Sequence, residues 1–141
     1  MATSVFEFII NAKGNAKISC MNQKKITIAK GKTVSDDSVI AVAADCSAAE
    51  LPAELKTALS EGKKLAVTIH TAGTEGTVTA YGNYDLKFSD KKNIIISKSD
   101  FVENATVGVE ANKAAVDLSR ALTGLLRDPG QEIKIKLSVL R

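Results

Sequence analysis

Few residues in this chain belong to types that do chemistry. His70 is the sole histidine, so a nucleophilic triad or a His-rich metal site would have to be assembled around it. It stands in an alternating run, Lys64 to Thr71, without a candidate partner close by, which is the setting of a structural or solvent-facing imidazole. Cys20 and Cys46 sit among apolar neighbours, lack CxxC spacing, and read as buried free thiols of a reducing compartment. Asp36-Asp37 is an acidic pair in a polar loop, a turn rather than a metal site. The phosphate-cradling glycine loops, HExxH, GxSxG and the calcium loop are absent. Gly73-Thr74-Glu75-Gly76 is too short to hold a phosphate and leads into no helix. Asn104-Ala105-Thr106 matches the glycosylation triplet, but no secretory signal precedes it. The expectation is a protein without catalytic residues, metal or cofactor.

Polar recognition remains. Lys64, Thr68, Thr79, Tyr81, Tyr84 and Lys87 offer cations for phosphates, hydroxyls for sugars and two rings for stacking, the groups used to bind single-stranded RNA. The bland alternative is the solvated face of an ordinary antiparallel sheet. Net charge is +3, from 19 Lys and Arg against 16 Asp and Glu, and it is unevenly placed. Lys13, Lys17, Lys24, Lys25, Lys30 and Lys32 lie between Glu7 and Asp36 with no acid among them, while acids outnumber bases elsewhere. Such a stretch either faces a polyanion or keeps an exposed strand edge from pairing wrongly.

The elements that must carry these residues follow from periodicity. With 141 residues and 45% apolar content, the chain reads as a single globular domain, 1–141, with no membrane-length apolar run and no membrane partner. Val5 to Asn11 alternates as a strand, and the Lys13-Gly14-Asn15 turn predicts an N-terminal hairpin with Ala16 to Cys20. Lys25 to Ala29 and Ser38 to Ala43 are further strands. Ser47-Ala48-Ala49-Glu50 has capping-box spacing, and a helix from about Leu51 to Gly62 follows, with Pro52 in its first turn. Strands are expected at 64–71, 77–81, 85–89, 93–97 and 105–109, joined as an antiparallel meander. From Asn112 the period turns helical, with an apolar stripe of Ala114, Leu118, Ala121, Leu122 and Leu125, until Asp128-Pro129-Gly130 stops it. Ile133 to Leu140 alternates as a terminal strand. No internal repeat is evident.

The opening Ser4 to Gly14, and the passage from the 105–109 strand through Ala111-Asn112 into Ala115 to Asp128, are similar in layout to the coat proteins of single-stranded RNA bacteriophages. That resemblance implies an α+β fold in which an N-terminal hairpin and an antiparallel β-sheet meander are followed by a C-terminal α-helix packing on a partner subunit. It implies a homodimer, with Leu118, Leu122 and Leu125 in the dimer interface. It further implies a virion protein, assembled into an icosahedral capsid in the host bacterial cytoplasm, that packages single-stranded RNA against its inner sheet face. Lys64, Thr68, Thr79, Tyr81, Tyr84 and Lys87 would line that face. A head-decoration or tail-tube subunit without nucleic-acid affinity, or a small cytosolic binding module, fits the same composition.

Overall fold

Alternation decides which side chains enter the core. In the computed structural model, which describes residues 5–140, Leu65, Val67 and Ile69 of one strand and Ile133, Ile135, Leu137 and Val139 of another are all buried, while the residues between them face outward. Eight strands result: β1 Val5–Lys13, β2 Lys25–Ala29, β3 Val39–Ala41, β4 Lys64–Thr71, β5 Thr74–Tyr81, β6 Asn93–Ser97, β7 Thr106–Gly108 and β8 Glu132–Leu140. Two short helices, α1 Ala53–Ser60 and α2 Arg120–Leu126, are each preceded by a 3₁₀ turn, Ala48–Glu50 and Ala115–Asp117. The protein is α+β, with one antiparallel sheet in the order β1-β8-β4-β5 and one mixed sheet in the order β3-β2-β6-β7. Single bridges, Lys13 to Val42 and Tyr81 to Val109, join the sheets at both edges and close the strands into a flattened barrel. Closure leaves little free edge for wrong pairing. The interior is dominated by Ile26, Ile28, Ile94 and Ile96 from one sheet and by Leu65, Ile69, Ile135 and Leu137 from the other.

The expectation of no internal repeat is corrected, because the chain is built twice. The order strand, strand, strand, 3₁₀ turn, helix, strand occurs in β1 to β4 and again in β5 to β8. Thr68 faces Lys136 across β4 and β8, and Thr27 faces Ile95 across β2 and β6, each pair separated by the same 68 positions. The pairing of β1 with β8 is repeated by β5 with β4: Lys13 opposite Glu132 becomes Tyr81 opposite Lys64. The halves are therefore related by a pseudo-twofold axis running between β4 and β8 and between β2 and β6. Each half lends strands to both sheets.

Two other expectations are corrected by the same local motif. Ala16 to Cys20 forms no hairpin with β1: Asn15 Oδ1 accepts the Lys17 amide, its carbonyl accepts the Ile18 amide, and Cys20 takes a left-handed φ of 53°. β1 pairs instead with β8. Residues 85–89 are likewise no strand, since Asn83 accepts the Asp85 and Leu86 amides in the same way and Phe88 has φ 47°. Side-chain capping of this kind offers the backbone an alternative to a sheet ladder. The meander is also corrected, because β2 with β3 and β6 with β7 run parallel. The long C-terminal helix is broken at Ser119, whose hydroxyl accepts the Leu122 amide and starts α2 afresh.

Candidate functional site

The outer face of β1-β8-β4-β5 is built by the residues that alternate with the core. Register places Lys64 beside Tyr81, Thr68 between Thr77 and Lys136, Thr79 beside Ala66, and His70 between Glu75 and Lys134. Of the six residues expected to bind RNA, Lys64, Thr68, Thr79 and Tyr81 thus share one face. Tyr84, 85% exposed, and Lys87 follow β5 in the Asn83 turn and its continuation, rather than on a strand. Sequence reasoning missed Lys134, Lys136 and Ser138, which β8 inserts beside β4. Their alternation was visible in the chain, but nothing local says that the last strand lies beside the fourth.

Charges on this face are partly matched. Lys136 Nζ lies 3.2 Å from Glu7 and Lys13 Nζ 3.8 Å from Glu132. Lys64 and Lys134 have no ion-pair partner among the described residues. The result is a weakly cationic, hydroxyl-rich surface with a tyrosine at one corner. The lysine-rich stretch is dispersed instead of forming one patch: Lys30 pairs with Glu50 at 2.7 Å and Lys25 with Glu103 at 3.7 Å.

A second concavity, of about 450 Å³, lies over the axis on the mixed sheet, where Thr27 and Ile95 form the floor and Asp36, Glu103 and Asn104 the walls. Its acids are already engaged. Asp36 accepts the Ser38 amide at 2.8 Å and the Ser38 hydroxyl, and these bonds, with Lys25 nearby, outweigh its partial burial and hold the carboxyl below the usual range. Asp90 accepts the Lys92 and Asn93 amides at 2.7 and 2.8 Å. Among the described residues no buried side-chain polar atom lacks a partner, and no three His, Cys, Asp or Glu residues are grouped to hold a metal. The carboxylates Asp36, Asp90 and Glu103 that border the hollow are thus engaged within the fold.

Burial pushes the Cys20 and Cys46 thiols up to about 11, Arg127 opposing it at Cys20 and Glu50 and Asp45 adding to it at Cys46. His70 is exposed at the sheet face, away from both cysteines' buried sites. Leu118 and Leu122 are buried in the chain's own core and Leu125 is half-buried, so most of the expected interface stripe closes the end of the barrel. No helix among the described residues is long and apolar enough to cross a membrane.

The comparisons place the chain in a family other than the coat proteins. The family described as a domain of unknown function, DUF371, matches residues 10–140. A protein of the archaeon Methanocaldococcus jannaschii named "Uncharacterized protein MJ0206" is 31% identical over 135 residues, covering 94% of this chain and 99% of the relative. The likeness to RNA-phage coat proteins is overturned, because a different family matches the whole of the second passage that suggested it and the end of the first, residues 10–14. The structure supplies the physical reason: the opening strand pairs with the last strand, and the C-terminal helix packs into its own barrel. Ser4, part of that likeness, lies outside the described residues. With the profile running from the end of the first strand to the last, the chain belongs to the DUF371 family.

Proposed function

We propose that this protein is a binding module that holds single-stranded RNA on the outer face of β1-β8-β4-β5. The observation that carries the reading is the register itself. It sets Lys64, Lys134 and Lys136 among Thr68, Thr77, Thr79 and Ser138 on three adjacent strands, with Tyr81 at the corner and Tyr84 just beyond. Lysines reach phosphates as point charges, threonine and serine hydroxyls reach sugar and base edges, and an exposed tyrosine supplies a stacking platform. The capsid role rested on the overturned likeness and is not carried forward.

The acids on the same face, Glu7, Glu75 and Glu132, keep the surface from being a strong polyanion trap. Binding is therefore weak and salt-sensitive. Three lysines neutralising about three phosphates give a slope of roughly −2 in log affinity against log salt. Fluorescence anisotropy with labelled oligouridylate at low ionic strength checks this. The Lys64→Ala, Lys134→Ala double variant is expected to lose about tenfold or more in affinity and to flatten the salt slope. Absence of binding by the parent protein at low salt would overturn the reading, as would a double variant that binds unchanged.

A further inference from the structure

The two halves share a backbone, so a surface that only one half carries is not imposed by the fold. One such divergence lies where residues 19–24 run between the loop after β6 and the 3₁₀ turn before α2. Met21, Phe101 and Val116 are exposed there, at 60%, 65% and 39%. Their counterparts in the other half are Ser89, Thr33 and Ala49, all polar or small. The correspondence is anchored beside the patch. Val34 and Val102, next to Thr33 and Phe101, are both half-buried and pack inward, while Lys30–Glu50 and Lys98–Asp117 are the same ion pair in the two halves.

Charge differs at the same place in both signs: Asp100 and Asp37 stand where the other half has Lys32 and Asn104. Arg120 and Lys113 stand where the other half has Ala53 and Cys46. Arg127 is fixed in position by donating from Nε to the Ile18 carbonyl at 3.0 Å and from Nη2 to the Ser19 carbonyl at 3.4 Å. Lys24 borders the Phe101 side. Of the nearby acids, Asp117 is occupied by the Ala114 amide at 2.8 Å and by Lys98 at 3.5 Å, and Asp37 accepts the Asn22 side-chain amide at 2.9 Å; Asp100 and Glu110 lie on the Phe101 side. Two open hollows result, one of about 330 Å³ bordered by Met21, Val116, Arg120 and Arg127, the other of about 510 Å³ bordered by Lys24, Lys98 and Phe101. The chain segment between them is tied down by the Val116 amide bonding to the Asn22 carbonyl at 3.0 Å.

From this pairing of exposed apolar side chains, present in one half only, with bordering cations of which Arg127 is fixed in position, we infer that the surface around Met21, Phe101 and Val116 docks an acidic protein segment bearing bulky apolar side chains. A flexible thioether and a branched aliphatic chain pack against side chains, whereas base stacking needs more than the one ring present. Exposed apolar residues with a polar rim mark an interaction site, and the two hollows beside them are bordered by Lys24, Lys98, Arg120 and Arg127 and by no acid, which favours a partner of the opposite sign. The site is separate from the sheet face assigned to RNA.

The full chain, labelled with ¹⁵N, would be titrated with a short synthetic amphipathic peptide of glutamate, leucine and phenylalanine. The same peptide with lysine for glutamate, and oligouridylate, are the comparison probes. The acidic peptide is expected to shift amides in 19–24, 98–101 and 113–127. The triple variant Met21→Ser, Phe101→Thr, Val116→Ala installs residues that the equivalent backbone already carries; it should weaken binding about tenfold or more with an unchanged thermal midpoint. Arg120→Ala should weaken binding and reduce its salt dependence. No shift at these residues overturns the inference, and so does equal binding of the lysine peptide. Oligouridylate shifting the same amides overturns it in favour of a nucleic-acid surface.

Discussion

A methyl group is all that separates a tolerated from a forbidden residue at two places in this barrel. A Cβ built on Gly82 would run into the Leu59 carbonyl at the end of α1, and one built on Gly14 would run into the carbonyls of Leu126 and Asp128 at the end of α2. The clash is with backbone in both cases, so no rotamer change relieves it. Gly82→Ala is expected to cost about 1–3 kcal/mol, the usual range for overpacking, with a lower urea midpoint as the readout. Gly31, at whose position a Cβ meets nothing within 4 Å, is the control whose alanine variant should unfold near the parent midpoint. None of this is legible from glycine in a sequence, where Gly14 reads as one residue of a turn. What sequence does convey at this scale is burial: Cys20 and Cys46 read as buried thiols from their neighbours alone, and both are buried. The Lys64, Thr68, Thr79 and Tyr81 set was also legible, because two-residue alternation fixes a face without knowing what lies next to it. Lys134 and Lys136 escaped because their neighbours come from a distant part of the chain.

Each helix is introduced by the same electrostatic arrangement. Glu50 reaches back to the Ser47 amide at 3.1 Å and to Lys30, while Asp117 reaches back to the Ala114 amide and to Lys98. The Lys30 hydrogen bond first, and the Ser47 bonds with it, lower the Glu50 carboxyl; at Asp117 the Ala114 amide does most, with Lys98 adding to it. Asp36 is lowered as well. A carboxyl whose folded value lies below its unfolded one stabilises fully above the unfolded value of about 4 and loses that contribution as pH falls through the folded value. Thermal midpoints should therefore hold through neutral pH and fall on acidification below that range. Glu50→Gln with Asp117→Asn should give a flatter acid limb, and an unchanged limb would contradict the role assigned to these acids. At this scale the sequence located both introductions. The Ser47 to Glu50 spacing was read as a cap, although the serine hydroxyl donates to Glu50 instead of accepting an amide. It misjudged 16–20 and 85–89 alike, because Asn15 and Asn83 turn the chain and a left-handed residue ends each segment, at Cys20 and Phe88. One motif, used twice, misled twice.

The whole molecule is held by pairings between halves, β1 with β8, β2 with β6 and β4 with β8. The duplication behind them left a faint trace in the sequence: Lys24-Lys25-Ile26-Thr27-Ile28-Ala29-Lys30 against Lys92-Asn93-Ile94-Ile95-Ile96-Ser97-Lys98, with Leu51, Leu55 and Leu59 matched by Leu118, Leu122 and Leu126. Core and turn positions are kept because the shared backbone constrains them, along with the ion pairs Lys30–Glu50 and Lys98–Asp117, while much of the remaining surface has parted. That is why a fixed-period scan sees little while the register shows the repeat at once. Large sequence separation between paired strands also predicts slow folding relative to helical proteins of this size. The pairing of β1 with β8 has one more consequence. Val5 stands opposite Leu140 where, in the other hairpin, Ala72 and Gly73 form the turn between the paired Thr71 and Thr74, so the β4-β5 hairpin is a closed copy of the gap between the last strand and the first. A circular permutant that links residue 140 to residue 5 by a short glycine-containing turn and opens between Ala72 and Gly73 would keep every strand pairing. It should show the parent circular-dichroism spectrum and a single cooperative melt. In such a molecule the order of the two halves is arbitrary, and either can be made first.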